Sequence, residues 1–373
     1  MLHHGLIRLT LLVLPVLSLC AWGSPAFTGS DDDGPRIGPA ALAALRQDAP
    51  PPVTAASAVL MDTASGTLLW SRDPSARRAP ASLTKIMTAL VVRSHDSPAQ
   101  VVVVSSLAAA TPGSRMNVIA GQRLSVDQLL YGLLLPSGND AAVALAQGTS
   151  GSVAAFVAQM NARAAAMGLT GTHFVNPDGL DADGHFSTAR DLATMALGLL
   201  GDPLLAQIVQ TRHEVLRGAN GTVLFDLTNL NQLLGSYPGA DGVKTGTTPE
   251  AGENLIGSAT RDGHRLLAVV LGSDDRYADA RALLDSGWSH WRWLAPALPP
   301  LAALDGGAVD LEAGPWTATP VPAWAVDSVR MVLNVDPAIG PLVSGPRPTP
   351  AGSVELVLGQ QVVAHAPVLA SRP

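Results

Sequence analysis

Pro80-Ala81-Ser82-Leu83-Thr84-Lys85-Ile86-Met87-Thr88-Ala89-Leu90 is the stretch from which the rest of the chain can be read. Proline is tolerated at a helix start, and apolar residues follow Lys85 at helical spacing, which predicts Ser82 in the first turn of a buried helix. Residues i and i+3 share a helix face, so the Lys85 amine is within reach of the Ser82 hydroxyl. A serine hydroxyl is a poor nucleophile at neutral pH and needs an adjacent base, and an ammonium cannot serve until it gives up its proton. The pair therefore predicts a site that lowers the lysine pKa, by burial or by a second nearby cation. Unpaired N–H groups around Ser82 add positive potential and can supply one oxyanion donor. Taken alone, the two residues read more simply as an ordinary helix start with a solvated lysine.

Two more strings change that reading: Ser137-Gly138-Asn139 and Lys244-Thr245-Gly246. S-x-x-K, a serine-to-asparagine string and K-T-G, in this order, are the signature of penicillin-binding proteins and class A β-lactamases, with the serine as nucleophile. The Ser-Gly-Asn form and its surroundings resemble the serine D-alanyl-D-alanine carboxypeptidases, the low-molecular-mass penicillin-binding proteins of peptidase family S11. The similar text includes Pro136-Ser137-Gly138-Asn139-Asp140-Ala141-Ala142 and Phe174-Val175-Asn176-Pro177-Asp178-Gly179-Leu180. It continues through Ser187-Thr188-Ala189-Arg190-Asp191-Leu192-Ala193 and Gly242-Val243-Lys244-Thr245-Gly246-Thr247-Thr248, spanning Ala55 to Trp293 almost without a break.

The resemblance implies an α/β (α+β) fold of the β-lactamase and DD-peptidase kind. An antiparallel sheet is flanked by helices with a helical subdomain, and a small C-terminal all-β domain follows. It implies a hydrolase of cell-wall biogenesis that trims the terminal D-Ala from peptidoglycan stem pentapeptides through an acyl-enzyme on Ser82, and that β-lactams acylate. Matched to the family's motifs, the catalytic residues are Ser82, Lys85, Ser137 and Asn139. The Ser137 hydroxyl relays a proton toward the leaving amine, and the Asn139 amide holds the substrate peptide. Lys244, Thr245, Gly246 and Thr247 bind substrate, with Lys244 the natural second cation beside Lys85 and the Thr247 N–H the second oxyanion donor. Arg276, ahead of a helix-like Ala280-Arg281-Ala282-Leu283-Leu284, matches the family's partner for the substrate's free carboxylate. A guanidinium suits that task because its fork donates two parallel hydrogen bonds. No His/Asp relay, metal or cofactor is required.

The chain has 373 residues, 47% of them hydrophobic, and a formal net charge of −7. That allows one large core with a smaller second unit. With 14% charged residues and no basic run, a nucleic-acid partner is not indicated. Residues 1–23 carry a secretory-signal pattern: Arg8, an apolar run from Leu9 to Leu19, then Ala21 and Gly23, with cleavage expected after Gly23 or Ala26. The run is interrupted by Pro15 and falls short of the ~20 residues that span a bilayer. The single cysteine, Cys20, lies inside it, and Leu19 before it is too large for a lipid-anchor signal. Residues 24–54, with Asp31-Asp32-Asp33, read as a flexible lead with a short helix near Ala41 to Leu45. The catalytic domain is expected over residues 55–294.

Ala58-Val59-Leu60-Met61-Asp62 and Thr67-Leu68-Leu69-Trp70 predict a hairpin, and Ser125-Val126-Asp127-Gln128 predicts a capped helix. Val153 to Met167, stopped by Gly168, is another helix. Asp241 to Thr247 and Leu266 to Leu271 read as neighbouring strands. Over residues 295–373 a Pro-rich linker leads into strands at Ser328–Val335 and Ser353–Leu358, with a turn into Gln361–Ala364. The end, Ala364 to Pro373, is too short and uncharged for a helix lying on a membrane, so a periplasmic or secreted protein is expected.

Other constellations fail on spacing. Asp178, Asp181 and Asp183 do not fit a calcium loop, because Arg190 falls where a glutamate belongs. The nine histidines form no ligand pair, and His173 and His185 read as structural. Trp288, Trp291 and Trp293 read as packing. A class A β-lactamase needs a water-activating glutamate after the second motif. The only one before the third motif is Glu214, in strand-like text. A D,D-endopeptidase uses the same acylation and is the nearest alternative; a non-catalytic binding protein would be expected to lack one of the motif residues.

Overall fold

The structure, a computed structural model, describes residues 7–11, 50–218, 220–295, 298, 301–302, 308–335 and 348–371. They fall into two units, one of Pro51–Gly287 and one of Met1–Pro50 with Trp288–Pro373. The helix expected at Ala41 to Leu45 lies outside the described residues.

The first strand, β1 (Ile7–Leu11), belongs to the smaller unit. In the larger unit β2 (Ser57–Asp62) and β3 (Leu68–Arg72) form the expected hairpin. Its turn is fixed by Asp62 Oδ2, which accepts from Ser65 N at 2.9 Å and Ser65 Oγ at 2.6 Å. Ser82 lies in a 3-10 turn, Ala81–Thr84, and the α-helix proper, α1 (Lys85–His95), begins at the lysine. Ser82 thus precedes the first α-turn instead of occupying it, and Ala81 before it takes a left-handed φ of 49°.

A helical subdomain follows. The short strands β4 (Val101–Val103) and β5 (Arg123–Ser125) pair, with α2 (Ser106–Ala109) between them. In α3 (Val126–Leu134) the Ser125 and Gln128 side chains close a reciprocal capping box at 3.2 and 3.0 Å. Then come α4 (Asn139–Ser150), α5 (Val153–Ala166), α6 (Ala189–Gly201), α7 (Pro203–Gln210) and the hairpin β6 (His213–Arg217) with β7 (Val223–Thr228).

The unit closes with β8 (Ala240–Thr248), β9 (Gly252–Arg261), β10 (His264–Ser273) and α8 (Arg276–His290). The sheet order is β3-β2-β10-β9-β8, antiparallel throughout. The strands β8 and β10, which the sequence reading made neighbours, are therefore separated: β9 lies between them. Its pattern is disguised by buried polar residues that serve the architecture. Asn254 bonds the Ala79 carbonyl and the Gly272 N–H, and Ser258 bonds Asp241. In contrast β10 is apolar at nearly every position because both of its faces are covered. Leu267 and Val269 join the core with Leu192 and Met195 of α6, while Leu266 packs with Leu60 beside Gly287 of α8.

The smaller unit is all-β. It contains β11 (Trp291–Leu294), β12 (Leu301–Ala302), β13 (Ala308–Ala313), β14 (Thr319–Pro322), β15 (Val329–Val335), β16 (Thr349–Leu358) and β17 (Gln361–Ser371). Five of these join β1 in a six-stranded sheet of order β1-β15-β16-β17-β13-β12, and β11 and β14 form a separate pair. Its core gathers Leu311, Met331, Leu333, Val354, Leu356 and Val368. The last strand runs on to Ser371, past the Ala364 expected, because Leu369 and Ala370 still find partners on β13 and β16. At the other edge β1, inside the segment that reads as a secretory signal, pairs along β15 with Leu9 opposite Leu333. Among the described residues no single helix is long and apolar enough to cross a membrane.

Candidate active site

Lys85 is fully buried at the start of α1, and three oxygen atoms surround its amine. Nζ lies 2.9 Å from Ser82 Oγ, 2.7 Å from Asn139 Oδ1 and 2.6 Å from the Asp178 carbonyl oxygen. Protonated, the amine can donate to all three. Neutral, it donates to the two that can only accept, Asn139 Oδ1 and the Asp178 carbonyl, and its lone pair is left for the Ser82 hydroxyl. Burial brings the Lys85 pKa down from 10.5 to about 7, against the pull of the Asp178 and Asp140 carboxylates, which raise it. Lys244 is also buried and held well below its ordinary value, first by burial and then by the charges of Lys85 and Arg276. The second-cation expectation is thus altered: desolvation lowers Lys85, and the repulsion between cations is felt at Lys244.

The neighbouring chain segments explain why these atoms meet. Asp178 belongs to a loop whose Pro177 carbonyl accepts from Thr88 Oγ1 at 2.6 Å, one turn along α1. Gly179 next to it has φ 88°, and a Cβ there would lie 1.9 Å from the Ala81 carbonyl oxygen. Only glycine lets this loop press on the turn that carries Ser82. The third motif also approaches this turn, less tightly, since a Cβ on Gly246 would lie 3.2 Å from Ser82 N. That contact brings β8 against the Ser82 amide, the arrangement an oxyanion site would need.

The second motif forms the remaining wall. Ser137 has a left-handed φ of 64°, and its buried hydroxyl has no hydrogen-bond partner among the described residues. Asn139 opens α4, and besides accepting from Lys85 it donates through Nδ2 to the Pro112 carbonyl at 2.7 Å. The amide expected to hold substrate is therefore already orienting the lysine. Asp140 beside it is fully buried and accepts from the N–H groups of Met116, Asn117 and Val118 at 2.8, 2.8 and 3.1 Å. This carboxylate ties the segment after Pro112 to the start of α4. Sequence reasoning gave it no role, although an acid in a helix's first turn is a recognisable signal.

Lys244 and Thr245 are buried on β8, and Lys244 Nζ donates to the Thr245 carbonyl at 3.1 Å. Arg276 opens α8 and donates through one terminal nitrogen to Thr247 Oγ1 at 2.6 Å and the Gly246 carbonyl at 3.1 Å. Glu253 Oε2 stands 3.8 Å from its Nε, a loose ion pair. The guanidinium is thus seated at the end of the third motif. The structure joins Ser82, Lys85 and Asn139 by direct bonds, sets Gly246 against Ser82, and links Arg276 to Thr247.

Two contacts were not legible beforehand. Asp181, set aside as part of a poor calcium loop, accepts from Thr248 Oγ1 at 2.6 Å and Glu250 N at 3.2 Å. His185, read as structural with no partner in any motif, bonds Thr84 Oγ1 within the first motif at 2.8 Å. Among the described residues no group of three or more His, Cys, Asp or Glu is arranged to hold a metal ion. Glu214 lies on β6 opposite Leu227, in the strand setting its sequence suggested.

A family model described as D-alanyl-D-alanine carboxypeptidase, Peptidase S11, matches residues 44–275. The D-alanyl-D-alanine carboxypeptidase DacC of Escherichia coli (strain K12) is 33% identical over 358 residues, 89% of this chain and 87% of that protein. DacF of Bacillus subtilis (strain 168), also named a D-alanyl-D-alanine carboxypeptidase, is 39% identical over 245 residues. That alignment covers 64% of this chain and 63% of the Bacillus protein, so the chain spans just under two thirds of that relative's length. Among solved structures, the D-alanyl-D-alanine carboxypeptidase DacD from Francisella tularensis superposes with a TM-score of 0.68 at 28% identity, over 89% of this chain and 97% of that one. The Streptomyces K15 DD-transpeptidase does so with a TM-score of 0.62 at 34% identity, over 65% and 100%.

Proposed function

This chain belongs to the D-alanyl-D-alanine carboxypeptidase family, peptidase family S11, and we propose that it removes the terminal D-Ala of peptidoglycan stem pentapeptides through an acyl-enzyme on Ser82. The observation that carries this reading is the buried Lys85 amine, held by two fixed acceptors with Ser82 Oγ 2.9 Å away. Neutral Lys85 takes the Ser82 proton as the oxygen attacks the carbonyl carbon of the penultimate D-Ala. The N–H groups of Ser82 and Thr247 receive the developing oxyanion. As the C–N bond breaks, the proton passes through the Ser137 hydroxyl to the nitrogen of the departing D-Ala. A water then attacks the ester, Lys85 accepts its proton and passes it to Ser82 Oγ as the ester C–O bond breaks, and the tetrapeptide leaves with Ser82 and neutral Lys85 restored. A β-lactam follows the first half of the path, its amide opening onto Ser82.

Arg276 is the residue that makes the substrate a chain end. It takes the terminal carboxylate, with Thr245 and Lys244 of β8 beside it. The signal-like residues 1–23 support an enzyme that works outside the cytoplasmic membrane, in the periplasm or beyond it, on the cell wall.

The test is to incubate the protein with a stem pentapeptide and, separately, with a cross-linked dimer, and to weigh the products. Tetrapeptide and free D-Ala from the first, with the second left intact, is the expected result. Cleavage of the dimer alone would assign an endopeptidase instead. A penicillin adduct on the wild type that is absent from Ser82→Ala checks the nucleophile; an adduct that persists in the variant would remove Ser82 from that role.

A further inference from the structure

Three links hang the segment from Phe174 to Leu180 on Thr84 and the helix that begins at Lys85. Two are direct: Lys85 Nζ to the Asp178 carbonyl at 2.6 Å and Thr88 Oγ1 to the Pro177 carbonyl at 2.6 Å. The third runs through the ring of His185. Its Nδ1 accepts the Val175 N–H at 3.0 Å, so that nitrogen carries no proton. In the neutral ring the proton is then on Nε2, which donates to Thr84 Oγ1 at 2.8 Å. Both nitrogens are thereby committed, on a ring that is buried and met edge-on by Phe174 with centroids 5.8 Å apart. Thr84, the residue before Lys85 in the first motif, is fully buried as well.

We propose that His185 is a positioning residue for the acylation of Ser82: its Nε2-protonated ring clamps Val175 to Thr84 and so holds the Asp178 carbonyl where it aims the Lys85 amine. The inference rests on the reading that Lys85 activates Ser82. Among the described residues the carbonyl is one of two pure acceptors that fix the amine, so its distance from Nζ decides where the lone pair points. Reactions that depend on such alignment respond to small displacements. Asp178 is joined to Val175 by two residues, one of them a proline of fixed φ, so a shift at Val175 reaches the carbonyl with little slack. Burial, with His173 nearby, lowers the ring's pKa to about 4 against the attraction of Asp181. At neutral pH the ring is therefore in the form the clamp needs.

The test measures β-lactam acylation of Ser82 by rapid quench and intact mass, resolving the first-order rate at saturation from the dissociation constant of the prior complex. His185→Ala and Thr84→Val, each checked for a wild-type melting profile, are expected to lower the saturating rate by about tenfold, the order of one lost oriented hydrogen bond. The dissociation constant should stay within about twofold, since neither residue is proposed to touch the ligand. The double variant should be no slower than the worse single one, because both changes cut the same link. Nitrogen-15 spectra of the wild-type imidazole should report Nδ1 bare and Nε2 protonated. A saturating rate within about twofold of wild type in a folded variant, additive losses in the double variant, or the opposite tautomer would each overturn the proposal. If His185→Ala does not fold, Thr84→Val and the spectra decide. Failure of the wild type itself to form an adduct would instead refute the reading on which the inference rests.

Discussion

The acylation rate of Ser82 should follow the ionisation of Lys85. Its pKa is lowered from 10.5 to about 7 by burial in a site where Asn139 and Asp178 occupy two of its hydrogen-bonding directions. An ordinary lysine would be neutral in roughly one molecule in 3,000 at pH 7, whereas this one is neutral in about half. Only the neutral form accepts the Ser82 proton, so the rate should climb about tenfold per pH unit below 7 and level off above it. At pH 5.5 it should stand about thirtyfold below the plateau. The assay is rapid-quench intact mass after penicillin addition from pH 5.5 to 9, with Lys85→Arg in parallel. Arginine keeps the charge and cannot deprotonate, so that variant should lose about 10³-fold or more at every pH. Asp178→Asn removes a carboxylate that raises the lysine pKa, and should move the acid limb to lower pH. A profile flat across this range, or Lys85→Arg turning over near the wild-type rate, would refute a lysine base.

Arg276→Ala removes a charge-assisted contact of ~1.5–3 kcal/mol, so pentapeptide trimming should slow by roughly ten- to a hundredfold. Amidating the substrate's terminal carboxylate should hurt the wild type and hardly the variant; an equal response in both would place Arg276 outside the site. Gly179→Ala should cost about 3 kcal/mol or more in thermal stability and depress acylation, since its Cβ would collide with the Ala81 carbonyl. Gly66→Ala, also at positive φ but with open space around it, should cost only about 1 kcal/mol, and equal losses would refute the close-approach argument. Finally, His185 has its pKa lowered from 6.5 to about 4, so between those values the unfolded chain binds the extra proton. Stability should therefore fall as the pH drops through that window, by about 3 kcal/mol, and denaturant melts of His185→Gln should lack that loss.

The features legible in the sequence are those made by residues close along the chain. Ser82 and Lys85 share a helix face by periodicity, the Ser125–Gln128 box spans three residues, and Gly168 stops α5 where its left-handed φ of 71° allows. The motifs Ser137-Gly138-Asn139 and Lys244-Thr245-Gly246 named the other walls of the site by resemblance, and Arg276 followed from its place before a helix. Their spacing did not determine what each side chain would touch. Asn139, expected only to hold substrate, also fixes the lysine, and of burial and a second cation, both expected to lower the Lys85 pKa, burial is the one that does so.

Tertiary structure decided the rest because it joins residues far apart in sequence. The strand β9 was missed where it inserts between β8 and β10, since its Asn254 and Ser258 look like surface residues until their partners at Ala79, Gly272 and Asp241 are in place. Asp140 becomes an anchor only when the segment of Met116 to Val118 turns its N–H groups toward it. His185 and Thr84 stand 101 residues apart, and no local pattern announces their bond. The sequence by itself determined the helix face and chemical types of the groups, since backbone periodicity and side-chain chemistry are local properties. Burial set the ionisation of Lys85, because the free energy of a lysine charge depends on the solvent that the folded chain excludes, and that exclusion exists only once the loop of Asp178, the helix of Asn139 and the strand of Gly246 have closed around it.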